Sequence, residues 1–138
     1  MKKIVLFAAM ALIANVGYSQ VSAAVTPAAP KTDMATAVFD SQNFDFGKIK
    51  QGVPATHEFT FTNKSNVTMV ITGVQASCGC TTPDWSKNPI PPGGQGFVKA
   101  TFNAAGVGNF DKSVTVTANV EAGMISLRIH GEVIAVQQ

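Results

Sequence analysis

Three features of the sequence point to an all-β fold, an immunoglobulin-like antiparallel β-sandwich of about seven strands. Apolar and polar residues alternate in several short runs, the period of a half-buried strand. Clusters of Gly, Pro, Asn and Ser separate those runs. Past the N-terminal segment, no stretch carries a helical apolar period long enough for a helix.

Taken in chain order, Val38-Phe39 and Phe44 to Ile49 supply one or two short opening strands. In Thr56 to Thr62, His57, Phe59 and Phe61 share one face while Thr and Glu take the other. Val70, Thr72 and Val74 form a weaker candidate, followed by Val98, Ala100 and Phe102. Ser113 to Val120 alternates strictly, and Ile125, Leu127 and Ile129 share one side of the last strand, opposite Ser126, Arg128 and His130. The connections are Asn63-Lys64-Ser65-Asn66, Pro91-Pro92-Gly93-Gly94 and Glu121-Ala122-Gly123.

Ahead of this domain lies a different kind of segment. Met1-Lys2-Lys3, an apolar run from Ile4 to Val16 and the small residues after it read as a secretory signal peptide over 1–19, with cleavage as late as residue 24. The run falls short of the roughly 20 apolar residues that a membrane-spanning helix needs. No Cys lies near the cleavage site, so the expectation is a periplasmic or secreted protein without a cysteine lipid anchor. Residues 20–36, rich in Ala, Thr and Pro, read as a flexible linker, and 37–138 as one folded domain, expected to be monomeric.

Charge narrows the partners. The chain carries ten Lys and Arg against eight Asp and Glu, and loss of Lys2 and Lys3 with the signal leaves a neutral mature protein. Its lysines are scattered, with no basic stripe of the kind that displaces counterions from nucleic acid or anionic membrane. Nucleic acid is therefore not an expected partner.

The least ordinary stretch is Ala76 to Trp85, ASCGCTTPDW, which holds both cysteines of the chain at i and i+2 around Gly79. Three readings stand beside one another. In a structural turn, small thiols tuck under Pro83 and Trp85, and the Thr hydroxyls cap local backbone groups. In a redox pair, a Cys78–Cys80 disulfide closes so small a loop that the entropic gain is only about 1.5 kcal/mol, which suits exchange rather than stapling. In a metal clip, two thiolates hold a soft ion such as Cu(I). Zinc fits poorly, since it wants four ligands and only His57 and His130 could add imidazole. Their positions do not converge on the cysteines. No base and orienting group accompany either Cys, and no hydrolase elbow, phosphate loop or HExxH motif occurs, so no catalytic residue and no cofactor are expected.

The run from FDFGKIK through SCGCTTPDW, then PIPPGG and GNFDKSVTVTAN, resembles an exported bacterial domain-of-unknown-function family, number fifteen seventy-three, common in Bacteroidetes. The resemblance covers roughly residues 43–133. Its motif positions are Ser77, Cys78, Gly79, Cys80, Thr81, Pro83, Trp85, Pro92 and Gly93. It implies a sandwich similar to the Ig-like domains of cilia-associated and sperm-protein type, which are scaffold and interaction modules.

Smaller motifs add little. Trp85 reads as core-edge, PIPPGG as a connection between strands, and Asn63 and Asn66 as acceptor motifs that matter only in a eukaryotic secretory route. Two functions follow: a non-catalytic binding module for a protein or glycan, and a thiol-disulfide or Cu(I)-handling protein built on Cys78 and Cys80.

Overall fold

The computed structural model describes residues 33–137, so the expected signal peptide and the linker up to residue 32 lie outside the described residues. These form eight strands and no helix: β1 (Ala37–Phe39), β2 (Asn43–Lys50), β3 (Ala55–Asn63), β4 (Ile71–Ala76), β5 (Thr81–Trp85), β6 (Gln95–Phe102), β7 (Gly108–Ala118) and β8 (Met124–Ile134). They make two four-stranded sheets, ordered β1-β3-β6-β5 and β2-β8-β7-β4. The expected all-β sandwich is present. Packing begins at Ala35, buried and bridged to Val120, inside the stretch read as linker.

The core lies between the sheets. β3 and β6 send in Phe59, Phe61, Val98, Ala100 and Phe102, which meet Val114, Val116, Leu127 and Ile129 from β7 and β8. Strict alternation in these four strands made their inward faces readable. Burial of each large apolar side chain contributes roughly 1.5–3 kcal/mol. The Phe61 ring packs against Gly96 of β6, where a Cβ would come within 2.4 Å of it. Only glycine fits there.

The eight strands fit the expected count of about seven, the strand not foreseen being Thr81–Trp85, which pairs with β6 through the register Thr81↔Phe102 to Trp85↔Val98. Pro83 disguised it, and an edge strand is where a sheet tolerates proline. Two expectations need correction. The sandwich is not wholly antiparallel, since β2 runs parallel to β8. Nor do Val70, Thr72 and Val74 share a face. Ile71 is the buried residue, while Val70 and Thr72 are exposed. A register shift between Ile71 and Gly73 leaves Thr72 unpaired and turns Val74 inward.

At one end of the sandwich, buried Asn63 ties two connections together. Its amide donates to Val67 O at 2.7 Å and Ile90 O at 3.0 Å, and its Oδ1 accepts from Ser65 N at 3.1 Å and Ser65 Oγ at 2.7 Å. Its backbone exchanges hydrogen bonds with Gly93 and Gly94. In that turn Gly93 has φ +75°, as a type II turn with Pro92 before it requires. An amide so enclosed is no glycan acceptor.

At the mouth of the core, His57 stacks on Phe44 (centroids 3.5 Å) and meets Phe59 edge-on at 4.6 Å. Burial lowers its pKa from the ordinary imidazole value, against an opposing pull from Glu58.

Three outcomes are expected. Asn63→Ala strands buried carbonyls and should cost about 3 kcal/mol, a fall of about 15 °C in thermal melts. Exposed Asn66→Ala should change stability by less than about 0.5 kcal/mol. Because the folded pKa of His57 lies below the unfolded one, its contribution is intact above about pH 6.5 and declines as pH falls below it. Melting temperature measured on the acid side of that value should therefore decline less steeply in His57→Gln.

Candidate functional site: the Cys-Gly-Cys crossover

β4 and β5 are edge strands of opposite sheets, and residues 77–80 carry the chain from one to the other. Both shoulders of this step are fastened. Ser77 N donates to Ser113 O at 2.9 Å, and Ser77 Oγ accepts from Ser113 N at 3.1 Å, fixing the turn to β7. On the far side Asn103 N donates to Cys80 O at 3.0 Å, and Thr81, buried, is paired into the sheet opposite Phe102.

Between these anchors Cys78 and Cys80 are joined by a disulfide, with Cα atoms 5.3 Å apart. That separation lies within the usual range for a disulfide. Both cysteines are half-buried, and Cys80 packs against the core. Gly79 is exposed, with nothing within 4 Å of where its Cβ would be. Cys78 Sγ lies 3.9 Å from the Thr81 hydroxyl. Of the three readings, the one with a Cys78–Cys80 bridge matches the turn seen here, which is partly open.

The motif residues separate into two groups. Ser77 to Thr81 form the crossover, while Pro83 and Trp85 lie further along β5, where the Lys87 ammonium sits over the Trp85 ring. Pro92 and Gly93 belong to the turn before β6, at the other end of β5, and pack with Asn63. His57 lies on β3 with β6 between it and β5, and His130 lies on β8 with β7 between it and β4. Among the described residues no group of three or more His, Cys, Asp or Glu could hold a metal ion.

Sequence reasoning missed a second feature, an open groove of about 900 Å³ on the outer face of the β2-β8-β7 sheet. Register sets Asp45, His130 and Asp111 in one row across the three strands, with Asn43, Arg128 and Ser113 in the next. Arg128 grips Asp111 with both nitrogens, Nε to Oδ1 at 2.7 Å and Nη2 to Oδ2. That hydrogen bonding lowers the Asp111 pKa and raises that of Arg128. His130 Nε2 stands 3.8 Å from Asp45 Oδ2, and Lys48 stands 4.0 Å from Glu132. The outward side of Ser126, Arg128 and His130 was legible. Their neighbours on β2 and β7 were not.

Because both shoulders are held by backbone hydrogen bonds, reducing the disulfide should leave the sandwich folded. The entropic loss is limited to about 1.5 kcal/mol, so melting temperature should fall by less than about 10 °C. A melt with and without a phosphine reductant checks this, and Cys78→Ser/Cys80→Ser should match the reduced protein.

Among the described residues no helix is long and apolar enough to cross a membrane. No curated protein matches the chain. A protein of unknown function from Porphyromonas gingivalis W83 superposes with a TM-score of 0.66 at 16% identity, over 78% of this chain and 51% of that one. The chain thus spans about half the length of that protein. The ASH/PapD-like domain 7 of human CEP192 gives 0.59 at 14% identity, over 85% of this chain and 97% of that domain. The secreted serine protease VesC of Vibrio cholerae gives 0.57 at 13% identity, over 77% of this chain and 24% of the protease. At these identities the likeness establishes a PapD-like or Ig-like fold and nothing further. The family DUF1573, described as a protein of unknown function, matches residues 37–133, and the chain belongs to it.

Proposed function

We propose that this protein is an exported, non-catalytic Ig-like interaction module that binds a protein or glycan partner through the outer face of β2, β8 and β7. The observation that carries this reading is the groove. Asp45, Asp111 and Glu132 stand there with Lys48 and Arg128 on paired strands, and His130 lies beside Asp45. Fixed charges of both signs select a partner by complementarity and steer its approach. The signal-like residues 1–19 support export, and with it a periplasmic or extracellular site of action.

Arg128 is the residue to change, because it is exposed and organises Asp111 beside it. The immobilised full chain is offered native envelope proteins and cell-surface glycans in separate arms, alongside Arg128→Glu and the Cys78→Ser/Cys80→Ser variant. One partner should be retained by the parent and the cysteine variant. It should be lost about tenfold or more on charge reversal and weakened by salt. Equal capture by Arg128→Glu, with its melt unchanged, rules the groove out as the binding face.

A further inference from the structure

We propose that the Cys78–Cys80 disulfide is a thiol-disulfide exchange site that passes its bond to a client protein carrying two cysteine thiols. The inference is independent of the binding reading above.

Four observations carry it. First, the turn has anchors other than the bond, since Ser77 is pinned to β7 of one sheet while Cys80 and Thr81 are pinned to the end of β6 in the other. These anchors hold the backbone on either side of the two cysteines. Second, a bridge across a single residue constrains the unfolded chain little, so it is easily reduced by comparison with a structural disulfide. Third, the turn is approachable, because Gly79 is exposed with open space above it and both cysteines are only half-buried. Fourth, the two sulfurs are unlike. Cys80 packs against the core, whereas Cys78 has the Thr81 hydroxyl at 3.9 Å.

The exchange follows from this asymmetry. A client thiolate attacks Cys78 Sγ; the Cys78–Cys80 bond breaks, and its electron pair leaves on Cys80 Sγ. The client is now joined to Cys78 through a mixed disulfide. Its second thiolate attacks the client sulfur of that bond and expels Cys78 as a thiolate, which accepts a hydrogen bond from the Thr81 hydroxyl. The client loses two electrons and two protons and gains a disulfide. The protein gains both as the Cys78 and Cys80 thiols. A more oxidising disulfide of the exported compartment restores the resting form. Run backwards, the same path reduces or rearranges a client disulfide.

The test uses the oxidised full chain and a synthetic peptide with two cysteines, followed by thiol alkylation and mass spectrometry. Oxidised protein should convert reduced peptide to its disulfide, one for each protein disulfide consumed. Reduced Cys80→Ser mixed with the peptide disulfide should accumulate the mixed disulfide on Cys78, while Cys78→Ser accumulates far less. Thr81→Val should slow exchange by about tenfold, the factor expected for one lost hydrogen bond to a charged group. A parent protein that stays fully oxidised with excess reduced peptide, and is opened only by strong dithiol reductants, overturns the proposal without recourse to any variant. Equal trapping on either cysteine overturns the assignment of Cys78 as the attacked sulfur.

Discussion

Everything in this domain depends on closing one apolar layer between two sheets while the chain repeatedly changes sheet. β1, β3, β5 and β6 lie on one side, and β2, β4, β7 and β8 on the other. Only β5-β6 and β7-β8 are sequence neighbours that pair directly. Every other connection crosses the edge of the core, where backbone groups leave their ladders and must find partners elsewhere. Asn63 meets that need after β3 with its side-chain amide, and Ser77 with Asn103 meets it after β4. No buried side-chain polar atom is left without a partner among the described residues. The polar chemistry of the loops is thus as much part of the core as Phe59 or Leu127.

The parts of the fold that could be read in advance are those where one physical effect acts alone. In β3, β6, β7 and β8, burial of one face imposes an alternation that nothing nearby disturbs. β4 departs from its local pattern because its bulge changes parity at Thr72, and a bulge is chosen by pairing with β7 rather than by local sequence. β5 has no legible strand pattern because Pro83 argues against a strand until its edge position is known. The parallel partner of β2 depends on residues 43–50 meeting 128–134, a separation no local pattern encodes.

The two candidate surfaces differ in the same way. The cysteine pair is contiguous, so its place in a tight turn was legible, as were the competing chemistries it could support. What no local pattern shows is the anchoring of its shoulders and the proximity of Thr81 to Cys78, both of which need the crossover geometry. The groove gathers Asp45, Asp111 and His130 from three strands through register alone. Its close fit also rests on glycine, since a Cβ on Gly131 would come within 2.7 Å of Gly47 O.

The bulge in β4 and the proline in β5 have a bearing on self-association. These strands are the exposed margins on one side of the sandwich, and unpaired margins recruit copies of themselves. Thr72 breaks the regular spacing of one margin, and Pro83 has no N–H to offer on the other. Neither margin presents an unbroken template to an incoming strand. Growth of fibrils strand by strand is hindered on this side of the molecule, at the cost of two irregular margins.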